Sequence, residues 1–174
     1  KVNRFVEFNG DLYAITADSI QKYNNIANTW AQIAAQPGVD AVPLGSWLAI
    51  TTGAGEMYKM NTSGVVSQIT GATGSWWLAT WKDALWRAAG NNISYTTDLA
   101  PATPTWAGTK AIGTPESTIT GMIVSEGYLI LFKEDGVWLY DGTNDPREVI
   151  SYRKSRYIDN GKNAASLLGY LYYS

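Results

Sequence analysis

The chain has 174 residues, of which 45% are hydrophobic and 16% charged, and its formal net charge is −2. That balance excludes a disordered segment, and the short cationic run Arg153, Lys154 and Arg156 is too sparse for a phosphate-backbone binder. There is no Cys and no His, which removes disulfides, thiolate metal sites and the commonest general base together.

No apolar run approaches the length of about 18 residues that a membrane helix needs, so membrane insertion is not expected. No signal peptide opens the chain, which begins at Lys1. Eight Trp and eleven Tyr sit mostly in short alternating or β-branched runs parted by Gly, Asn, Asp and Pro. Such runs predict strands and turns. In chain order the first four predicted strands are Arg4–Asn9, Asp11–Thr16, Ser19–Asn24 and Thr29–Ala34. The next four are Val39–Leu44, Ser46–Thr51, Glu56–Asn61 and Val65–Thr70. Trp76–Trp81, Ala84–Ala89, Asn92–Thr97 and Pro104–Thr109 follow. Then come Thr120–Ser125, Gly127–Phe132, Gly136–Asp141 and Arg147–Tyr152, and last Ala164–Leu168 and Gly169–Ser174. The Ala-rich stretch Ile33 to Gln36 is stopped by Pro37-Gly38 before any helical period develops.

The second strand of each group is one recurring type, exemplified by Asp11-Leu-Tyr-Ala-Ile-Thr16 and Ser46-Trp-Leu-Ala-Ile-Thr51, and the five starts lie 35, 38, 43 and 42 residues apart. A unit of four consecutive antiparallel strands at this period predicts an all-β fold of the β-propeller type. A sandwich lacks internal repeats, and the coils of a solenoid are usually shorter. Residues 1–174 are expected to be a single propeller region, a portion of a larger ring. Its four-stranded blades fall at about 4–38, 39–75, 76–119 and 120–163, and 164–174 starts a fifth. Strands such as Tyr128-Leu-Ile-Leu-Phe132 are apolar on both faces, as stacked blades require and as a half-solvated sheet does not.

Three stretches carry resemblances. Leu12 to Ile15, Ile20-Gln-Lys-Tyr-Asn24 and Asn28-Thr-Trp30 make the first blade resemble a kelch repeat, although Thr16-Ala17-Asp18 stands where kelch repeats have a Gly pair. Ser94-Tyr-Thr-Thr-Asp98 followed by Thr105-Trp106 resembles a degenerate Asp-box, a structural turn motif of sialidase-like propellers, with Ala100 in place of its usual Gly. The fourth blade, Ile119 to Ser125, Tyr128 to Phe132 and Val137 to Tyr140 with acidic-Gly turns between, resembles propeller-type structural proteins of tailed-phage particles. That last resemblance implies a structural role in a virion.

Candidate chemistry is sparse. Without His or Cys the usual nucleophile–base pairs are missing, and no catalytic residue is expected. Glu126 with Glu134 or Asp135, and Asp83, are the carboxylates a glycoside hydrolase would use, but each falls at a predicted turn. The five Arg residues show no sialidase-like cluster. The Asp141-Gly-Thr-Asn-Asp145 loop has oxygen ligands but no EF-hand pattern, so no metal and no cofactor is expected. A glycan site is expected, if anywhere, at Trp77, Trp81, Asp83, Trp86 and Arg87. Exposed Trp rings stack on sugars, but in-strand Trp is usually buried, so packing one blade on the next is the favoured reading of these side chains. The expectation is therefore a non-catalytic structural or attachment component of a virion-like particle, placed on the virion or outside the cell. It would act as a protein-interaction scaffold whose partners are other structural proteins of the particle. A lectin-like propeller reading surface glycans is the alternative, and a glycoside hydrolase a distant third.

Overall fold

The computed structural model describes residues 1–53, 55–151, 165–167 and 170–172. They form strands and turns, with no helix among them. Blade 1 comprises β1 (Val2–Phe8), β2 (Asp11–Thr16), β3 (Ile20–Asn24) and β4 (Thr29–Ala34). Blade 2 comprises β5 (Asp40–Leu44), β6 (Trp47–Thr51), β7 (Met57–Asn61) and β8 (Val66–Ile69). Blade 3 comprises β9 (Trp77–Trp81), β10 (Ala84–Ala89), β11 (Asn92–Thr96) and β12 (Ala107–Ala111). Blade 4 comprises β13 (Ile119–Ser125), β14 (Tyr128–Lys133), β15 (Gly136–Tyr140) and β16 (Arg147–Ser151), and the hairpin β17 (Ala165–Leu167) with β18 (Tyr170–Tyr172) begins a fifth sheet. Each blade is a separate antiparallel meander in sequence order. The five recurring strands thus lie in five different sheets, and the four complete sheets are arranged as a four-blade β-propeller.

The meanders follow from turn chemistry. First and second strands are joined by two-residue turns at Asn9-Gly10, Gly45-Ser46, Lys82-Asp83 and Glu126-Gly127, where at least one residue of each pair has φ between +50° and +78°. Such left-handed pairs match the twist of a tight hairpin. One predicted strand is displaced. Pro104–Thr109 was expected in blade 3, but β12 runs Ala107–Ala111, because Pro101 and Pro104 have no N–H to give a ladder. There Gly108, at φ +61°, lets the chain pass the Tyr95 ring, where a Cβ would stand 2.4 Å from it. Tyr152, Ala164, Leu168, Gly169, Tyr173 and Ser174, which complete the last predicted strands, lie outside the described residues.

The alternation of side chains assigns each blade face to one neighbour. On β6, Leu48 and Ile50 join Tyr13, Ile15 and Ile20 of blade 1, whereas Ala49 between them joins Leu78 and Leu85 of blade 3. On β10, Trp86 and Ala88 meet Leu129 and Leu131 of blade 4, whereas Leu85 turns back to blade 2. On β14, Ile130 and Phe132 point the other way from Leu129 and Leu131, into a cluster with Val137. The second strands β6, β10 and β14 are therefore buried largely on both faces, as the apolar runs predict.

Two buried lysines tie blades together through polar contacts. Lys59 of β7 donates to the carbonyls of Leu99, Ala100 and Pro101 in blade 3 and lies 4.6 Å from the Trp47 ring centroid. Lys133, at the end of β14, donates to Ile112 O at 2.6 Å and Thr114 O at 2.9 Å, in the segment linking blades 3 and 4. Gly113 in that segment sits where a Cβ would come within 2.6 Å of the Trp138 ring.

Two stability measurements test this packing. Leu131→Ala, a fully buried truncation between blades 3 and 4, is expected to lose about 2–5 kcal/mol in urea unfolding. Leu12→Ala, on the exposed face of blade 1, should change stability by no more than about 0.5 kcal/mol. Equal effects would contradict the assignment of faces. Lys59→Met should cost about 1–3 kcal/mol, since it leaves three carbonyls without their donor.

Candidate functional site

The first strands β1, β5, β9 and β13 lie side by side around the propeller axis and are the inner edges of their sheets. Their axis-facing backbone groups are outside the ladders. Side chains satisfy some of them: Asp40 Oδ2 accepts from Leu78 N at 3.0 Å and Thr80 Oγ1 donates to Pro43 O, while Asn3 Nδ2 donates at 2.7 Å to Gly38 O just before β5. Between these strands opens a cavity of about 340 Å³, lined by Arg4, Asp40, Trp76, Trp77 and neighbours from all four blades. A second cavity, of about 320 Å³, lies beside it against Trp76, Trp77, Gly90 and Thr118. Both are at the lower end of the range that holds small ligands.

Arg4 and Asp40 form the charged centre of the larger cavity, with Arg4 Nε 3.5 Å from Asp40 Oδ1. The Asp40 carboxylate is buried and also accepts from Ala41 N at 2.9 Å. Burial pushes its pKa above the usual carboxylate value, and the Arg4 charge and two N–H donors act against that rise. Arg4 itself stays half exposed.

Trp76 is fixed differently. Its backbone N–H donates to Ala88 O at 3.1 Å, and the carbonyl before it, Ser75 O, accepts from the Thr51 hydroxyl. Gly53, at φ +88°, lies beneath its ring, where a Cβ would come within 2.8 Å. The side chain remains 45% exposed.

The residues expected from sequence do not converge. Trp77 lines the cavities and donates from Nε1 to Ile119 O at 3.1 Å. Trp81 and Trp86 lie in the core between blades 3 and 4, with ring centroids 5.5 Å apart and both packed on Tyr140. Their indole N–H groups are consumed by Gly127 O and Trp81 O. Asp83 is an exposed turn residue. Arg87 points to the opposite face, donates to Ser94 Oγ at 3.0 Å and stacks 3.9 Å from the Trp106 ring centroid. The carboxylates considered for hydrolysis are also apart. Glu126 and Glu134 stand at opposite ends of the six-residue strand β14, about 20 Å along a strand, whereas glycosidase pairs need about 5–9.5 Å. Asp141 accepts from Thr143 N, Thr143 Oγ1, Asn144 N and Asn144 Nδ2, an Asx turn that uses both its oxygens. Arg4 and Asp40 were not foreseen. The available signal was charge on the first strand of a blade, a strand that always faces the axis.

No protein-family model matches the chain, and no curated protein matches it. Solved structures do. The extracellular domain of a protein described as a hybrid two-component system, BT4673 of B. thetaiotaomicron, aligns with TM-score 0.71 at 11% identity, over 99% of this chain and 26% of that one. A protein described as a gluconolactonase aligns with TM-score 0.63 at 14% identity, over 84% of this chain and 61% of that one. The N-terminal domain of Nup159 aligns with TM-score 0.62 at 7% identity, over 86% of this chain and 48% of that one. The chain thus spans less than two thirds of each of these three structures, and at such identities the likeness is one of fold: the chain is a β-propeller.

Proposed function

We propose that the chain is a non-catalytic structural or attachment component of a virion-like particle, acting as a protein-interaction scaffold. The observation that carries this reading is the face of blade 1 that no sheet among the described residues covers. Tyr13 and Ile15 point to blade 2, so Leu12 and Ala14 between them point away, beside Phe5, Tyr23 and Trp30. Phe5 and Trp30 are exposed, at 58% and 40%, and their rings stand 5.8 Å apart. Tyr23 joins the same cluster at 5.2 Å from Trp30. A rigid exposed patch of Tyr, Trp and Phe is what protein interfaces select for. The lack of His and Cys in the sequence, and the separation of the Glu126 and Glu134 carboxylates, support a role without catalysis.

A glycan-recognising module is the second reading. Trp76, half exposed in the axial cavity beside Arg4, favours it.

The first reading is tested on particles. An antibody to the chain should label purified particles from a culture that produces it. The double variant Phe5→Ser, Trp30→Ser should keep its fold by circular dichroism yet enter particles at about a tenth of the normal level. Particles free of the chain, or full incorporation of the double variant, would overturn the proposal.

A further inference from the structure

We infer that the axial cavity binds a neutral oligosaccharide, with Trp76 as the stacking platform and Arg4 as a donor to its hydroxyl groups; this rests on the glycan-recognising reading. Three features of the cavity support it.

The platform is preorganised. Gly53 seats the Trp76 ring, and the peptide group joining Ser75 to Trp76 is pinned to β6 through its carbonyl and to β10 through its N–H. A ring held this way loses little freedom on binding, which raises affinity for a flat apolar partner. Trp76 and Trp77 line both cavities, so an oligomer of more than one ring can run from one to the other past the same indoles. The C–H face of a pyranose supplies the apolar partner.

The polar groups are matched to hydroxyls. Arg4 meets Asp40 through Nε, and the guanidinium fork carries further N–H donors. Edge-strand backbone groups around the axis supply both donors and acceptors. The mixture suits a ligand whose hydroxyl groups both give and take hydrogen bonds.

The charge argues for neutrality. Among the described residues lining the two cavities, Arg4 and Asp40 are the charged pair, and they compensate each other. A phosphate or a polyanion would need further cations. A simple cation would find Arg4 in its way.

The test is calorimetric titration of the chain with maltotriose, cellotriose and chitotriose, and with the acidic trisaccharides sialyllactose and trigalacturonate. At least one neutral trisaccharide should bind. Trp76→Ala and Arg4→Gln should each weaken it about tenfold or more, and Trp76→Phe should retain most of the affinity. Circular dichroism should show all these variants folded, although Arg4→Gln takes a charge partner from buried Asp40 and should lower the unfolding midpoint. Binding of acidic sugars alone, lost in Arg4→Gln, would overturn neutrality while leaving the glycan reading in place. Neutral-sugar binding indifferent to Trp76→Ala would overturn the site but not the reading. No binding by any of the five would overturn both.

Discussion

The structure rests on a sheet that is apolar on both sides and so has to be covered on both. A four-stranded meander cannot do this for itself. Stacking the sheets face to face around an axis does it for every interior blade, using the same short strand each time. Leu48 and Ala49, adjacent in sequence, serve two different interfaces, and Leu129 and Ile130 face opposite sides of blade 4. A shift of one residue in any of these strands would exchange the two interfaces and ruin both. The narrow spread of the repeat follows from this shared demand on register.

Polar tethers follow the same seams. Asp40 and Thr80 bridge β5 and β9 in opposite directions, Asn3 ties blade 1 to the entry of blade 2, and Lys59 reaches from blade 2 into blade 3. These contacts satisfy backbone groups that stacking would otherwise bury unpaired. Where the tethers converge at the axis, the small cavity is walled by charge and indole rather than by aliphatic packing. The features that hold the first strands together are thus the ones that give the axis its chemistry.

The fold was legible because its signals are local. Strands β2, β4 and β10 fall at the residues expected from alternation and turn chemistry, and Gly, Asn and Asp mark the hairpins at their ends. The displaced β12 shows the limit: Thr105 and Trp106 read as strand residues, but the prolines before them keep the chain out of the ladder until Ala107. The site was not legible for a geometric reason. Trp77, Trp81, Trp86 and Arg87 are near one another in sequence, yet the period of two sends the three indoles to one face and the guanidinium to the other. Arg4, Asp40 and Trp76 are far apart in sequence and belong to three blades, so nothing local announces that they share a cavity.

Lys59 and Lys133 are covered by aromatic rings of their own blades and by carbonyls that a neighbouring blade or its linker supplies. Burial also lowers both amines below the ordinary lysine pKa. When adjacent blades part, each amine emerges as an ordinary accessible nucleophile. Their acylation rates, compared with those of exposed lysines such as Lys1 and Lys82, would therefore clock the opening of two individual inter-blade joints. The chain carries its own pair of strain gauges, one on either side of blade 3.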